Sequence, residues 1–220
     1  MPTDVESAAE LAPSKETGRL EAFSDGVFAI AITLLALELH VPTLSGSPPT
    51  AAALWSALAH QWPSYVSFVT SFFTVLIMWV NHHGIFRLVR RTDGRLLFAN
   101  GFVLMLVTIV PVPTALIATY LRTPAASAAC ATYAGLFVVI ACSYAALLLA
   151  ARHGNGHLLE PHAQPEINRR LRDCYAVGVP VYLTAALVAP LWPWLTIAIC
   201  TAMWVFWSLS RRTRTTGFDR

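Results

Sequence analysis

The sequence predicts an all-α integral membrane protein with six transmembrane helices. Hydrophobic residues make up 56% of the 220 residues and charged residues only 12%, whereas soluble domains carry about a quarter charged residues. The apolar residues are concentrated in six blocks, at about 20–40, 55–80, 96–121, 125–151, 173–190 and 193–210. Each block approaches the roughly twenty residues that a helix needs to cross the hydrocarbon core, although the fifth is short and ends in Pro190.

The basic residues predict that both termini are cytoplasmic. Lys15 and Arg19 precede the first block, and four arginines follow each of the second, fourth and sixth blocks. Fourteen of the fifteen basic residues therefore lie on one side, and only Arg122 falls on the other. Cytoplasmic loops carry an excess of Lys and Arg, so this distribution predicts an even number of spans with the basic side inside.

The sequence predicts one membrane domain, residues 17–212, in the cell (plasma) membrane. A disordered cytoplasmic N-terminus is expected over 1–16 and a cytoplasmic tail over 213–220. The connection 42–54 is expected to be flexible, and 152–170 to be the longest inner loop. No internal repeat is legible, so one chain cannot close a pore by its own symmetry. Copies around an axis would supply the missing walls, which favours a cyclic homo-oligomer.

The first block begins with polar residues that are unusual inside a membrane. Ser24 and Asp25 lie in its opening turns, and a charged side chain there costs several kcal/mol unless it has a partner or contacts water. Trp79, Asn81 or His82, at the end of the second block, are candidates to lie at the same depth. The alternative is that Asp25 caps or solvates a helix start among the lipid headgroups.

Beyond these polar turns, Ile30, Leu34 and Leu37 recur at i, i+4 and i+7, with Thr33 beside them. Branched aliphatic residues at helical spacing commonly contact lipid or pack in a core. Apolar rings can also gate a pore by excluding water, and a ring of hydroxyls can help to replace the hydration shell of an ion. The pattern is therefore compatible with a narrow apolar constriction.

Other functional classes find little support. There is no catalytic or phosphate-binding motif, so we expect no enzyme. The net charge of +3 reflects membrane topology and indicates no nucleic-acid partner. His153 and His157 stand at i, i+4, but the glycines at 154 and 156 favour a solvated loop over a metal site. We expect no metal and no cofactor.

The run Arg19-x-x-x-Phe23-Ser24-Asp25, followed by Val-Phe-Ala-Ile-Ala-Ile-Thr-Leu-Leu, resembles the signature of the transmembrane protein 175 family. These proteins are potassium channels of lysosomes and, as shorter single-repeat proteins, of bacteria and archaea. Further similar positions lie in later blocks: Trp79-x-x-His82, Phe86, Asn100, Pro111-x-Pro113-Thr114 and Pro180-Val-Tyr-Leu.

The resemblance implies six-helix subunits that form a homotetramer around a central pore lined by the first helix, with K⁺ as the permeant ion. It assigns the constriction to Ile30, Leu34 and Leu37, and selectivity to Thr33. It also implies a polar network that joins the motif to the second helix. The residues of that network are Arg19, Phe23, Ser24, Asp25, Trp79 and His82, with His83 as a rival to His82.

The sequence therefore predicts a potassium channel that passes K⁺ down its gradient. The principal alternative is a secondary or proton-coupled membrane transporter, although such proteins usually show inverted repeats and broken helices near the midplane. A membrane scaffold without transport activity is a third interpretation.

Overall fold

The computed structural model describes residues 4–44 and 50–209. Nine α-helices occur in these ranges: α1 Asp4–Leu34, α2 Ala51–His60, α3 Trp62–Phe86, α4 Gly94–Ile109, α5 Pro111–Tyr120, α6 Ala126–Gly156, α7 Gln164–Asp173, α8 Val179–Val188 and α9 Pro193–Leu209. A 3₁₀ turn, Leu35–Glu38, extends α1, and a π-helical segment, Cys174–Gly178, joins α7 to α8. The described residues contain no β-strand, only an isolated bridge between Val89 and Leu159. The predicted all-α class is confirmed.

Five helical segments are long and apolar enough to cross a membrane: Thr17–Glu38, Trp62–Phe86, Gly94–Tyr120, Ala126–Gly154 and Gln164–Val188. The sixth predicted block corresponds to α9, an apolar helix of 17 residues. The predicted tail at 213–220 lies outside the described residues. α1 is described from Asp4 onwards, and the domain boundary expected at residue 17 stays a prediction.

Two connections are more ordered than the sequence indicated. The prediction of a flexible connection over 42–54 is wrong for residues 51–54, which form the first turn of α2. Thr50 caps this helix, because its hydroxyl accepts a hydrogen bond from the backbone of Ala53 at 3.2 Å. The inner loop expected over 152–170 shortens to 157–163, since α6 runs to Gly156 and α7 begins at Gln164.

Proline breaks the third membrane span into α4 and α5. Pro111 and Pro113 lack the backbone N–H that a regular helix would use, and their rings clash with the preceding turn. The structure ends α4 at Ile109 and restarts the chain as α5 at Pro111. Thr114 strengthens the junction, because its hydroxyl donates to the Val110 carbonyl at 2.8 Å.

A stripe of small polar residues on α3 faces the interior and links this helix to its neighbours. Ser71 Oγ lies 2.7 Å from Thr114 Oγ1 on α5 and 3.2 Å from the Tyr133 hydroxyl on α6. One turn further on, Trp204 Nε1 on α9 donates to Thr74 Oγ1 at 2.8 Å. These buried hydrogen bonds hold α3 in a defined rotation, which matters because α3 carries Trp79 and the two histidines.

Candidate functional site

The first membrane helix has one packed face and one exposed face. The packed face, at 0–1% exposure, follows the i, i+4, i+7, i+11 spacing of an α-helix: Ser24, Phe28, Ala31 and Leu35. The larger exposed residues, which we call the exposed stripe, are Phe23, Ile30, Thr33, Leu34 and Leu37, and the small residues Ala22, Gly26, Ala29 and Ala36 are exposed beside them. In a single copy of the chain, Ile30 is 59%, Leu34 40% and Leu37 67% exposed. All three predicted constriction residues therefore lie on one unpacked surface.

Thr33 lies among the apolar residues of the exposed stripe. Its hydroxyl donates to the Ile30 carbonyl at 2.9 Å, one turn earlier in the same helix. Because that bond uses the hydroxyl proton, the lone pairs of Oγ1 remain available to a ligand on the exposed side. A hydroxyl oxygen in this state suits a cation better than an anion.

A chain of buried hydrogen bonds joins α1, α4 and α3. Asn100 Nδ2 donates to Ser24 Oγ at 3.0 Å, and Ser24 in turn donates to the Leu20 carbonyl at 2.8 Å. His82 Nε2 lies 2.6 Å from Asn100 Oδ1. The amide oxygen can only accept, so His82 donates from Nε2. We call this arrangement the Ser24–Asn100–His82 chain.

The imidazole of His82 is enclosed by aromatic rings as well as hydrogen-bonded. It is fully buried, with the Phe28 ring centroid at 5.2 Å and the Phe86 centroid at 4.6 Å. Phe28 belongs to the packed face of α1, so the same histidine contacts α1 through an aromatic ring and, through Asn100, the hydroxyl of Ser24. His82 is therefore a central packing element between the first two membrane spans.

Asp25 and Trp79 form a second contact between α1 and α3. Trp79 Nε1 donates to Asp25 Oδ1 at 2.7 Å, and both residues are partly buried. The carboxylate thus has the local partner that its position demands. The partner is a neutral indole, and no Lys or Arg pairs with Asp25 in the parts of the chain that the structure describes.

The two adjacent histidines have different partners. His83 Nδ1 lies 2.6 Å from Glu21 Oε1, and its ring stacks on Trp79 with 6.0 Å between centroids. His83 thus lies beside the Asp25–Trp79 pair, whereas His82 belongs to the Ser24–Asn100–His82 chain. The sequence left open which imidazole approaches the motif, and the structure places both near α1, at different points.

Arg19 and Phe23 of the motif lie away from these contacts. Both are exposed, and Phe23 belongs to the exposed stripe. Within the described residues, no hydrogen bond or ion pair involves the Arg19 guanidinium. The structure therefore brings together Ser24, Asp25, Trp79 and His82, and it leaves Arg19 and Phe23 on the surface of a single copy.

Sequence reasoning did not assign a role to Asn100, although it is the residue that connects Ser24 to His82. The available signal was an asparagine inside the apolar run 96–107, because buried amides are normally hydrogen-bonded to another polar group. Glu21 was likewise not predicted to contact His83. Among the described residues, no group of three or more His, Cys, Asp or Glu side chains is arranged to hold a metal ion.

Comparison with known proteins places this site in a family. Residues 19–111 match the family described as "Endosomal/lysosomal potassium channel TMEM175". A potassium channel of Chamaesiphon minutus is 44% identical over 200 residues, which cover 91% of this chain and 97% of that protein. The chain belongs to the TMEM175 family. The resemblance of the sequence motif is thereby confirmed.

Two further TMEM175 comparisons agree. A potassium channel of Streptomyces collinus is 48% identical over 164 residues, covering 74% of this chain and 77% of that protein. The crystal structure of a lysosomal potassium-selective channel TMEM175 homologue from Chamaesiphon minutus superposes with a TM-score of 0.78 at 43% identity, covering 89% of this chain and 98% of that one. The segment 19–111 contains the exposed stripe, the Ser24–Asn100–His82 chain and the Asp25–Trp79 bond.

Proposed function

We propose that this TMEM175 member is a potassium channel in which four copies line a pore with the exposed stripe of α1. The observation that carries the proposal is the division of α1 into two faces, because a fully packed face fixes which side chains face outward. Those side chains include Ile30, Leu34 and Leu37. Relatives covered over most of their length are named potassium channels, which supports K⁺ as the permeant ion.

The stripe has the composition that a hydrophobic gate requires. Four copies of each branched side chain around an axis would form stacked apolar rings, which exclude water when the pore is narrow and so limit flux. Thr33 lies between Ile30 and Leu34 in sequence and offers oxygen lone pairs on the same side of the helix. A ring of these hydroxyls would compensate an ion for part of its lost hydration, which is the basis we propose for selectivity.

The buried polar contacts would hold the gate in position. A small rotation of α1 would turn Ile30 or Leu34 away from the axis, and the Ser24–Asn100–His82 chain resists such a rotation through two helices. The Asp25–Trp79 bond adds a third attachment. We therefore assign these five residues as positioning residues of the pore helix, not as ligands of the ion.

The proposed topology has six spans with both termini in the cytoplasm of a plasma-membrane protein. α9, with 17 residues, lies at the lower limit for a spanning helix. With α9 as the sixth span, the basic residues divide fourteen to one across the membrane, which is the asymmetry expected of a cytoplasmic basic side.

The direct test is K⁺ flux into liposomes that contain the purified protein. We expect the wild type to pass K⁺ in preference to Na⁺, and Leu34→Ala to raise the flux severalfold because it widens an apolar ring. Leu187→Ala is the matched control, since Leu187 is an equally apolar exposed residue on α8. Mass photometry of the purified protein should give the mass of four copies.

Two results would overturn the proposal. Equal flux for Leu34→Ala and Leu187→Ala would mean that Leu34 contacts lipid. Absence of K⁺ flux from folded wild-type protein, or flux that requires a counter-transported ion, would favour a scaffold or a secondary transporter instead.

A further inference from the structure

We call the end of the bundle where α6 ends and α7 begins the basic end. A polar cavity lies there. Its volume is about 570 Å³. The lining residues come from α6 and α7: Leu149, Arg152, His153, Gly154, Gln164 and Asn168. Arg152 spans it, because its Nη1 donates to Asn168 Oδ1 at 2.9 Å. No carboxylate appears among the lining residues.

One further arginine contacts the lining of this cavity, and another lies one helical turn beyond it on α7. The Arg95 guanidinium, at the start of α4, contacts Nε2 of His153. Arg172 lies one turn after Asn168 on the same face of α7 and is exposed. Across the described residues, no ion pair joins Arg95, Arg152 or Arg172 to a carboxylate. Arg152 therefore lines the cavity, Arg95 contacts its lining and Arg172 lies one turn beyond it, and none of these three positive charges has a carboxylate partner.

The acidic residues of α7 all lie on another face of the helix. Glu166 Oε1 is 2.7 Å from Arg169 Nη2 and 2.8 Å from Arg170 Nε, and Asp173 Oδ2 is 3.0 Å from Arg169 Nη1. Residues 166, 169, 170 and 173 form one side of α7, whereas 164, 168 and 172 form the other. The helix thus neutralises one side and leaves the side at the cavity positive.

The cavity also lies at the boundary of the apolar surface. Leu149, which is partly exposed, lies one helical turn before Arg152 and is the last large apolar residue of α6. Ile167 and Leu171 of α7 are buried against the bundle, so this polar helix is held beside the cavity-lining end of α6. A ligand in the cavity would meet arginines at its polar end and exposed hydrocarbon next to it.

We propose that this cavity binds the phosphate headgroup of an anionic phospholipid, with Arg152 and Arg172 as its principal cationic contacts and Arg95 in support. Guanidinium groups bind phosphate oxygens in bidentate, charge-assisted hydrogen bonds. Basic pockets between membrane helices are suited to anionic headgroups. The site goes beyond the channel activity proposed above and does not depend on it.

The test measures thermal unfolding of the detergent-purified full chain against increasing ligand. The three ligands are dioctanoyl phosphatidylglycerol, dioctanoyl phosphatidylcholine and inorganic phosphate. We expect only the first to raise the unfolding midpoint at micromolar to millimolar concentration. Arg172→Gln should weaken its apparent affinity about fivefold, the effect of one arginine near an anionic surface. Higher salt should weaken it as well.

Arg87→Gln is the matched control, because Arg87 is an exposed arginine at the same end and outside the cavity. Its binding should equal that of the wild type. Arg172→Gln is the deciding variant, because Arg152→Gln also loses a bond to α7 and the Arg172 side chain makes no such contact. Equal losses of affinity for Arg172→Gln and Arg87→Gln would overturn the proposed site, because they would show attraction by the overall positive charge of this end. Equal shifts with inorganic phosphate would assign it to a free anion, and no shift with any ligand would refute it.

Discussion

Asp25 keeps a carboxylate inside the first membrane span through one short hydrogen bond. Trp79 Nε1 lies 2.7 Å from Oδ1, and the indole donates only this one proton. A bond to an ionised acceptor is stronger than a neutral one, and a buried acceptor without its donor pays the desolvation penalty in full. The Asp25–Trp79 contact should therefore contribute measurably to the stability of the α1–α3 interface.

Trp79→Phe should lower the free energy of unfolding by about 1–3 kcal/mol, since it removes the donor and keeps an aromatic ring. Asp25→Asn keeps Oδ1 as an acceptor and should cost less. Trp55→Phe is the control, because Trp55 lies exposed on α2. Unfolding of the purified protein, followed by fluorescence or circular dichroism, measures all three. If Trp79→Phe matched Trp55→Phe, the hydrogen bond would not contribute to the interface.

For individual residues, the sequence predicts which side chains come near Asp25 more reliably than it predicts which of them forms the hydrogen bond. A charge in an apolar helix demands a local partner, and the sequence offers Trp79, Asn81 and His82 as candidates for Asp25. Which of them bonds depends on the rotation of α3, which is determined by distant contacts such as Ser71 with Thr114. His82 and His83 differ by about 100° around the helix axis, so their roles could not be separated without that rotation.

At the scale of the element, the two faces of α1 have different roles. The packed face contributes to stability, and the exposed stripe is the face proposed to conduct ions. Ala31 lies at 0% exposure in the packed face, whereas its neighbour Ile30 lies in the exposed stripe. A larger side chain on the packed face meets a close-packed interior and forces neighbouring helices to move. The same enlargement on the stripe has more space within its own subunit, because Ile30 is 59% exposed.

Ala31→Leu should therefore destabilise the protein by about 1–3 kcal/mol, the usual cost of overpacking a core. Ile30→Leu, a swap of equal volume on the stripe, should leave unfolding unchanged while it alters K⁺ flux. Thermal unfolding and liposome flux of both variants provide the comparison. Normal stability for Ala31→Leu would show that the face is not packed as described.

The long helices were predicted well and their irregularities poorly. Apolar length alone locates a membrane span, but α2 has ten residues and merges with the apolar start of α3, so the second block was predicted to begin inside it. The π-helical segment Cys174–Gly178 lies just before Pro180. A π-helical turn contains one extra residue, which shifts the positions of polar residues around the helix. An uninterrupted apolar run has no polar face that would reveal this shift, so the sequence does not predict the segment.

At the scale of the whole molecule, the loops of the basic end are joined to each other. The backbone N–H of Arg90 donates to the Leu158 carbonyl at 2.8 Å, and that of Glu160 donates to the Leu88 carbonyl at 2.9 Å. The α3–α4 and α6–α7 connections therefore form one structure, which contains three of the basic residues that predict orientation, Arg87, Arg90 and Arg91. The single basic residue at the opposite end, Arg122, is exposed between α5 and α6.

Orientation can be tested with single cysteines at the two ends. The background is Cys142→Ser, since Cys142 is exposed and Cys130, Cys174 and Cys200 are buried. In intact cells, a membrane-impermeant maleimide should label Arg122→Cys, whereas Arg91→Cys should react only after the cells are opened. Each substitution removes one charge of fifteen, too little to reverse the asymmetry. Labelling of Arg91→Cys in intact cells would place the basic end outside and refute the proposed topology, because fourteen basic residues would then have crossed the membrane.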